Sequence, residues 1–456
     1  MRIGKILAFA AALFVLAGAA FAMLAWRPEI APVKMEQAFD PALVKRGAEL
    51  AAVGNCIACH TVPGSKAFAG GLALPTPFGT IYSTNITPEP ETGIGAWSEA
   101  AFLRAMREGV DRKGRHLYPA FPYDHFTHVT DEDNRALYAF LMTREPVKAT
   151  APANDLVFPL GFRPLLAGWK LLFLAEGPHA LNTKQSEEWN RGADLAEGLG
   201  HCGACHTPRN ALGASDKARH FGGGEAEGWM AYAINKDSHA PIPWDKEALS
   251  FYLRHGWHEL HGVSRGPMAE VTGNLSGLPD SDIEAIATYV SALMGAPSAA
   301  RKAQAERLQD EIVSKSGAAM AATVSPDQTG MQGEAIYKAA CASCHESGKP
   351  QPFGGLDFRL STAVNAPNPQ NIVNVTLFGL PPADGEASAV MPAFATTLSD
   401  QQIADLLAYM RKRFSTGAEW PDVLEMVRRT RSGAHRVAVR PADGIERAPK
   451  NIGAKE

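Results

Sequence analysis

Apolar and polar positions along the chain repeat one helical pattern three times behind a long uncharged run. After Arg2 and Lys5 come 21 uncharged residues, Ile6 to Trp26, closed by Arg27-Pro28. A run of that length spans a bilayer when helical, and the leading positive charges keep its start in the cytoplasm. Ala20-Phe21-Ala22 also fits a small-residue cleavage site, but the run exceeds the usual core of an export signal, which favours a retained anchor.

Behind this segment the helical period appears at Leu43 to Val53, Trp189 to Leu199 and Met331 to Ala339, near Arg46-Gly47, Arg191-Gly192 and Gln332-Gly333. A second helix is predicted from Trp97-Ser98 and from Trp244-Asp245, with Ser or Asp as N-cap. It ends at Gly109 and Gly256, and a shorter relative ends at Gly379. A third helix opens on Thr130-x-x-Asp133, Ser281-x-x-Glu284 and Ser399-x-x-Gln402, each a capping-box pattern, and is expected to bury Tyr138, Tyr289 and Tyr409. No stretch alternates convincingly enough to predict a strand.

The expected fold is therefore mainly α, with three tandem domains behind an N-terminal hydrophobic helix. The boundaries read as 1–30 for the signal or anchor, 36–150, 180–297 and 330–416 for the domains, 298–329 for a linker and 417–456 for a C-terminal tail. The linker assignment follows from an Ala-, Lys-, Glu- and Ser-rich stretch over 301–330 without a sustained apolar face. The tail turns polar, basic and Pro/Gly-punctuated from Ser432. Leu156 to Ala175 is apolar but broken by Pro159, Pro164, Arg163 and Lys170. It reads either as an amphipathic element on a membrane or as packing between the first two domains, and its prolines favour packing.

A length of 456 residues suits about three domains, while a net charge of -4 gives no basis for nucleic acid binding. The cysteines change the picture. All six lie in three copies of Cys-x-x-Cys-His: Cys56 to His60, Cys202 to His206 and Cys341 to His345. A zinc ribbon needs two Cys pairs roughly 15–20 residues apart, and a thiol-exchange site needs one pair without the histidine. Here the pairs stand 146 and 139 residues apart, each followed at once by histidine. That pattern is the signature of covalent c-type haem, with Cys56, Cys59, Cys202, Cys205, Cys341 and Cys344 forming the thioethers. His60, His206 and His345 would supply the proximal imidazoles to three haem irons. Covalent attachment of this kind, with an export segment, places the bulk of the protein outside the cytoplasm.

For the opposite side of each iron, a methionine thioether is the common partner of histidine. Counting 12 residues past Gly256 and Gly379 reaches Met268 and Met391, the candidate distal ligands. The same count from Gly109 reaches Phe121, which cannot bind iron. The first haem is then five-coordinate or takes another donor, His125 being the nearest candidate, with His116 and His128 flanking it. His125 could equally serve as a hydrogen-bonding surface residue.

Over nearly its whole length the chain resembles the trihaem cytochrome c subunits of membrane-bound periplasmic dehydrogenases that oxidise alcohols, aldehydes or sugar acids. The resemblance rests on the three motifs, on Pro77-Phe78-Gly79-Thr80-Ile81-Tyr82-Ser83-Thr84-Asn85-Ile86-Thr87 and on His201-Cys202-Gly203-Ala204-Cys205-His206-Thr207-Pro208-Arg209-Asn210. Many members read Tyr-Pro-Ala-Met-Pro-Tyr where this chain has Tyr118-Pro119-Ala120-Phe121-Pro122-Tyr123, so that methionine ligand does not carry over. The Phe form, with Trp26-Arg27-Pro28-Glu29-Ile30-Ala31-Pro32, is most similar to cytochromes that accompany molybdenum hydroxylases.

The resemblance implies three class I cytochrome c-like domains carrying three haem c groups on the periplasmic side of the bacterial inner membrane. It implies a catalytic dehydrogenase partner, of molybdenum hydroxylase type or else a flavin or quinone enzyme, and electron exit to ubiquinone or a terminal oxidase. No signature of a flavin, quinone or molybdenum centre occurs in this chain, so substrate oxidation falls to the partner and this chain reads as a non-catalytic relay. Two alternatives stay open. An open first haem could make the protein a peroxidase-like enzyme or small-molecule reductase, or the chain could be a free electron shuttle.

Overall fold

The computed structural model describes residues 2–34, 38–315, 328–349, 353–381 and 390–433, which are mainly helical. The chain divides into two compact units, Met1–Asn182 with Glu197–His201 and Thr183–Ala196 with Cys202–Glu456. The first carries the first sequence repeat, and the second carries nearly all of the other two.

Each repeat is built on two crossing helices, and a glycine sets their separation. Pro41–Val53 crosses Asp131–Met142, Glu187–Ala193 crosses Asp280–Met294, and Gln328–Ala340 crosses Asp400–Phe414. A Cβ on Gly47 would lie 1.9 Å from the Ala136 carbonyl oxygen, one on Gly192 1.9 Å from that of Ala285, and one on Gly333 2.3 Å from that of Asp405. Only glycine allows backbones to approach so closely. Phe140, Tyr289 and Tyr409 face these glycines across the crossing.

The third helices bury Tyr138, Tyr289 and Tyr409 as expected, although Tyr138 does not face the crossing glycine as the other two do, and one capping expectation is corrected. Tyr138 packs against Phe39 and Phe102 and donates its hydroxyl to the Trp97 carbonyl, two positions short of Phe140. Ser281 is no N-cap, because its helix starts earlier at Asp280 behind Pro279. Ser399 and Gln402 do close a complete capping box, and Thr130 accepts from the Asp133 N–H.

The second helix begins as predicted. Ser98 accepts from the Ala101 N–H and Asp245 from the Ala248 N–H, each cap contributing about 1 kcal/mol. The chain then leaves these helices through left-handed turns at Gly109 (φ 60°) and Gly256 (φ 74°). Three small antiparallel sheets among the described residues, not expected from the sequence, complete the frame. They join Ala73–Thr76, Gly79–Tyr82 and Asp155–Leu156; Gly224–Ala226 and Trp229–Ala231; and Trp257–His258 and Gly262–Val263. Strands of two to four residues are too short for alternation to register.

The stretches expected as linker and tail are partly structured. The helix Ala299–Lys315 opens the 298–329 segment, with Ala305, Leu308 and Ile312 packing on Ile242, Leu260, Leu356 and Leu360. Spacings of three and four place those residues on one helical face, a stripe too narrow to stand out among charged neighbours. In the 417–456 segment, Trp420 and the helix Val423–Arg431 join the core beside Ile372, Leu406 and Met410. Residues 316–327 and 434–456 lie outside the described residues.

In the first unit an exposed helix, Arg2–Ala25, runs directly into a strap fixed on the first repeat. The Ala25 carbonyl meets His116 Nε2 at 2.9 Å, Arg104 donates to the Pro28 carbonyl, Arg112 pairs with Glu29, and the Ile30 N–H donates to the Arg112 carbonyl. The 156–175 stretch folds onto this same unit as the helix Leu165–Phe173. Its buried Lys170 donates to the Gly109 carbonyl and His116 Nδ1, while Phe158, Phe162, Leu171 and Leu172 stay exposed.

Candidate haem sites

Each Cys-x-x-Cys-His segment forms a short helical turn after the first crossing helix, placing its two cysteines and histidine within one turn. Ahead of the first cysteine the backbone swings left-handed at Asn55 (φ 48°) and His201 (φ 37°). The second repeat has one more residue than the first between its crossing glycine and its first cysteine, and a wider π turn at Asp194–Leu199 takes it up.

All three motif histidines share one arrangement. Nδ1 of His60 lies 2.6 Å from the Thr84 carbonyl, that of His206 2.6 Å from Tyr232, and that of His345 2.8 Å from Leu356. Donating Nδ1–H to a carbonyl fixes the tautomer that leaves Nε2 free for a metal. Burial holds all three rings below the ordinary histidine pKa, keeping them in the neutral form that ligates.

A deeper repetition lies in the loop that brings those carbonyls round. Thr61 Oγ1 accepts from the Phe68 N–H at 3.1 Å, and Thr207 Oγ1 accepts from the Phe221 N–H at 3.0 Å. The Gly70 N–H donates to the His60 carbonyl and the Gly223 N–H to that of His206, both at 2.8 Å. Phe68 and Phe221 both sit at positive φ, 63° and 54°, a strained conformation for a bulky residue that recurs at the same place. The sequence reading missed these residues. Their signal was Cys-His-Thr followed by Phe-x-Gly, as in Phe68-Ala69-Gly70 and Phe221-Gly222-Gly223. The third repeat returns by a shorter route, with Glu346 in place of the threonine and, among the described residues, no phenylalanine at positive φ. Leu356 is only 11 residues beyond His345, and the His345 ring stacks on Phe358 with centroids 4.0 Å apart.

The distal candidates stand on two different frames. In the first two repeats the chain pairs back soon after the helix-ending glycine, Val110 with His116 and Trp257 with Val263. Phe121 and Met268 each come five residues later. Met268 is the second residue of the helix Pro267–Leu275, which follows Gly266, where a Cβ would lie 2.6 Å from the Trp229 indole. In the third repeat Met391 is itself the pairing residue, bonded in both directions to Leu380. The shared count of 12 is thus numerical, and the loops differ in construction.

Phe121 packs edge-on against Phe126. Among the neighbouring imidazoles, His116 has both nitrogens engaged, by Ala25 and Lys170. His128 bonds the Gly177 carbonyl through Nδ1 and stacks on His179. Buried His125 places Nδ1 2.9 Å from the Glu197 carbonyl, the arrangement of the motif histidines.

These donors fit covalently held haem better than thiol chemistry. Burial pushes the Cys56 thiol up to about 12 and Cys341 to about 11, opposite to the lowered pKa of an exchanging thiol. Trp229 Nε1 and Arg265 Nε are buried without a partner among the described residues, donors of the kind that a porphyrin's carboxylates would satisfy.

Comparison with known proteins follows the same lines. Residues 44–145 match the cytochrome c family model, and residues 328–410 match that of cytochrome c oxidase, cbb3-type, subunit III. The chain is 47% identical over 87% of its length to a subunit of the nicotinate dehydrogenase of Pseudomonas putida, spanning only 33% of that protein. It is 36% identical to the fructose dehydrogenase cytochrome subunit of Gluconobacter japonicus, over 86% of this chain and 84% of that one. It is 38% identical to the gluconate 2-dehydrogenase cytochrome c subunit of Pantoea cypripedii, over 84% of this chain and 88% of the relative. With its motif histidines, its helix crossings and these relatives, the chain belongs to the family of cytochrome c subunits of dehydrogenases.

Proposed function

We propose that this chain relays electrons through three haem c groups, held in three class I cytochrome c-like domains, from a catalytic dehydrogenase partner to ubiquinone or a terminal oxidase. The observation that carries the reading is the threefold repetition of a paired-cysteine turn whose histidine keeps Nε2 free. Haem supplies one-electron chemistry. The protein's part is to fix position and tune the iron. The six cysteines would hold the haem groups covalently, and His60, His206 and His345, with Met268 and Met391, would be the candidate iron ligands. Thioether ligation raises the potential, so a first haem with His125 or no sixth ligand would differ in potential from the other two.

The 47% identity to a nicotinate dehydrogenase subunit favours a molybdenum hydroxylase partner over a flavin or quinone enzyme. The helix Arg2–Ala25 is apolar and long enough to cross a bilayer, and the exposed Phe158, Phe162, Leu171 and Leu172 lie on the same unit. Both features support a place on the periplasmic face of the inner membrane.

Two measurements test the relay. Denatured protein assayed for covalent haem is expected to retain three groups per chain, and affinity purification from membranes is expected to recover a catalytic subunit that reduces them with substrate. Fewer than three haems, or haems that no co-purifying subunit reduces, would overturn the reading.

A further inference from the structure

The strand Trp229–Ala231 adjoins both segments that carry the second site's candidate ligands, His206 and Met268. At its start the Trp229 indole underlies Gly266, two residues before Met268. Just past its end, the Tyr232 carbonyl holds His206 Nδ1. One edge of this strand is tied to Gly224–Ala226, with Met230 opposite Glu225. The free edge is gripped by the third repeat. Asn371 Oδ1 accepts from the Met230 N–H at 2.8 Å, and its Nδ2 donates to the Met230 carbonyl at 2.8 Å. One helical turn on, buried Asn374 donates to the Gly228 carbonyl at 2.9 Å. Asn374 is in turn held by Gln370, which also donates to Thr430 of the helix Val423–Arg431. Oxygen and nitrogen of both amides are thus engaged, with the Asn371 amide taking the place of a neighbouring strand.

The helix that carries it, Gln370–Phe378, serves the third site at its other end. Its Thr376 and Leu377 carbonyls accept from the N–H groups of Phe394 and Ala395, and Gly379 packs on the Met391 backbone.

We propose that Asn371 and Asn374 are positioning residues through which the third repeat sets the axial geometry of the second haem. They act on His206 through Tyr232 and on Met268 through Trp229 and Gly266, without touching the iron. This rests on the ligand reading above, and the test separates the two. In wild-type holoprotein the second haem's methionine–iron absorption is assigned by its loss in Met268→His. If Met268→His removes no such band, the ligand reading fails, whatever the asparagines do.

Imidazole displacement of the distal ligand is then followed in Asn371→Ala/Asn374→Ala holoprotein, together with the spin-resonance signals of all three haems. Imidazole should enter the second haem about tenfold faster once the strand edge is released, with the third haem unchanged. Asn371→Asp keeps the acceptor for the Met230 N–H and should restore part of the wild-type rate. Unchanged binding and spectra at the second haem, or equal changes at the second and third, would overturn the proposal. If the double variant does not accumulate, Asn371→Ser is read by the same criteria.

Discussion

The first and second repeats hold their motif histidines through the same hydrogen bonds, whereas the third reaches an equivalent bond with a far shorter loop. In the first two, a threonine after the motif, a strained phenylalanine and a glycine amide steer the chain so that a carbonyl returns to Nδ1. In the third, Gly355 donates directly to the Cys344 carbonyl and the next residue supplies the acceptor. What all three share is the helix crossing at Gly47, Gly192 and Gly333. The crossing and the motif thus define the site, and the long loop is an elaboration of two copies.

The first and second repeats also show that frame and ligand separate. Their distal loops pair in the same way after the helix, yet one offers a phenyl ring and the other a thioether. The slot itself differs in backbone too, a bend at Phe121 and the first turn of a helix at Met268.

The largest effect should come from the shared crossing. Gly192→Val forces a side chain into the Ala285 backbone and should cost the second repeat about 3 kcal/mol or more. Denaturant unfolding and haem content measure it, and Gly333→Val should behave alike. Next, Met268→Phe copies the first slot into the second and should abolish one methionine–iron absorption and open one haem to carbon monoxide. The reciprocal Phe121→Met should add a methionine–iron band, and a wild-type protein that already shows three such bands would break the contrast.

Smaller effects distinguish the long loops. Thr207→Val strands the Phe221 N–H in a fully buried place and should cost about 1–3 kcal/mol, whereas half-exposed Thr61 should cost less when changed to Val. Thermal unfolding of the two variants compares them. A separate, pH-dependent effect concerns Lys170, which burial lowers to about 7 from the ordinary lysine value of 10.5. The unfolded chain binds more protons between those values, so the first unit should gain stability as pH rises through that window. Lys170→Met should flatten that slope in a pH series of melting curves.

Much of this was legible in the residues. The Cys-x-x-Cys-His strings, the Ser98, Asp245 and Ser399 caps and the glycines ending the second helices are local signals, and local chemistry decides them. What failed needed tertiary context. Ser281 carries a good capping pattern, but its helix already starts at Asp280 behind Pro279. Ala299–Lys315 became a packed helix because Leu356 and Leu360, distant in sequence, cover its narrow stripe. The count of 12 matched Met391 to Met268 although their loops close differently, because a count cannot see a hydrogen bond.

The strap over Arg27 to Ile30 has a mechanical consequence. A polar, glycine-rich tether would let the first repeat tumble above a lipid surface, sampling many heights. Here the chain leaving the hydrophobic helix is riveted by Arg104, Arg112 and His116 within a few residues. The join leaves almost no free chain between the hydrophobic helix and the first repeat, so that a turn of the one carries the other with it.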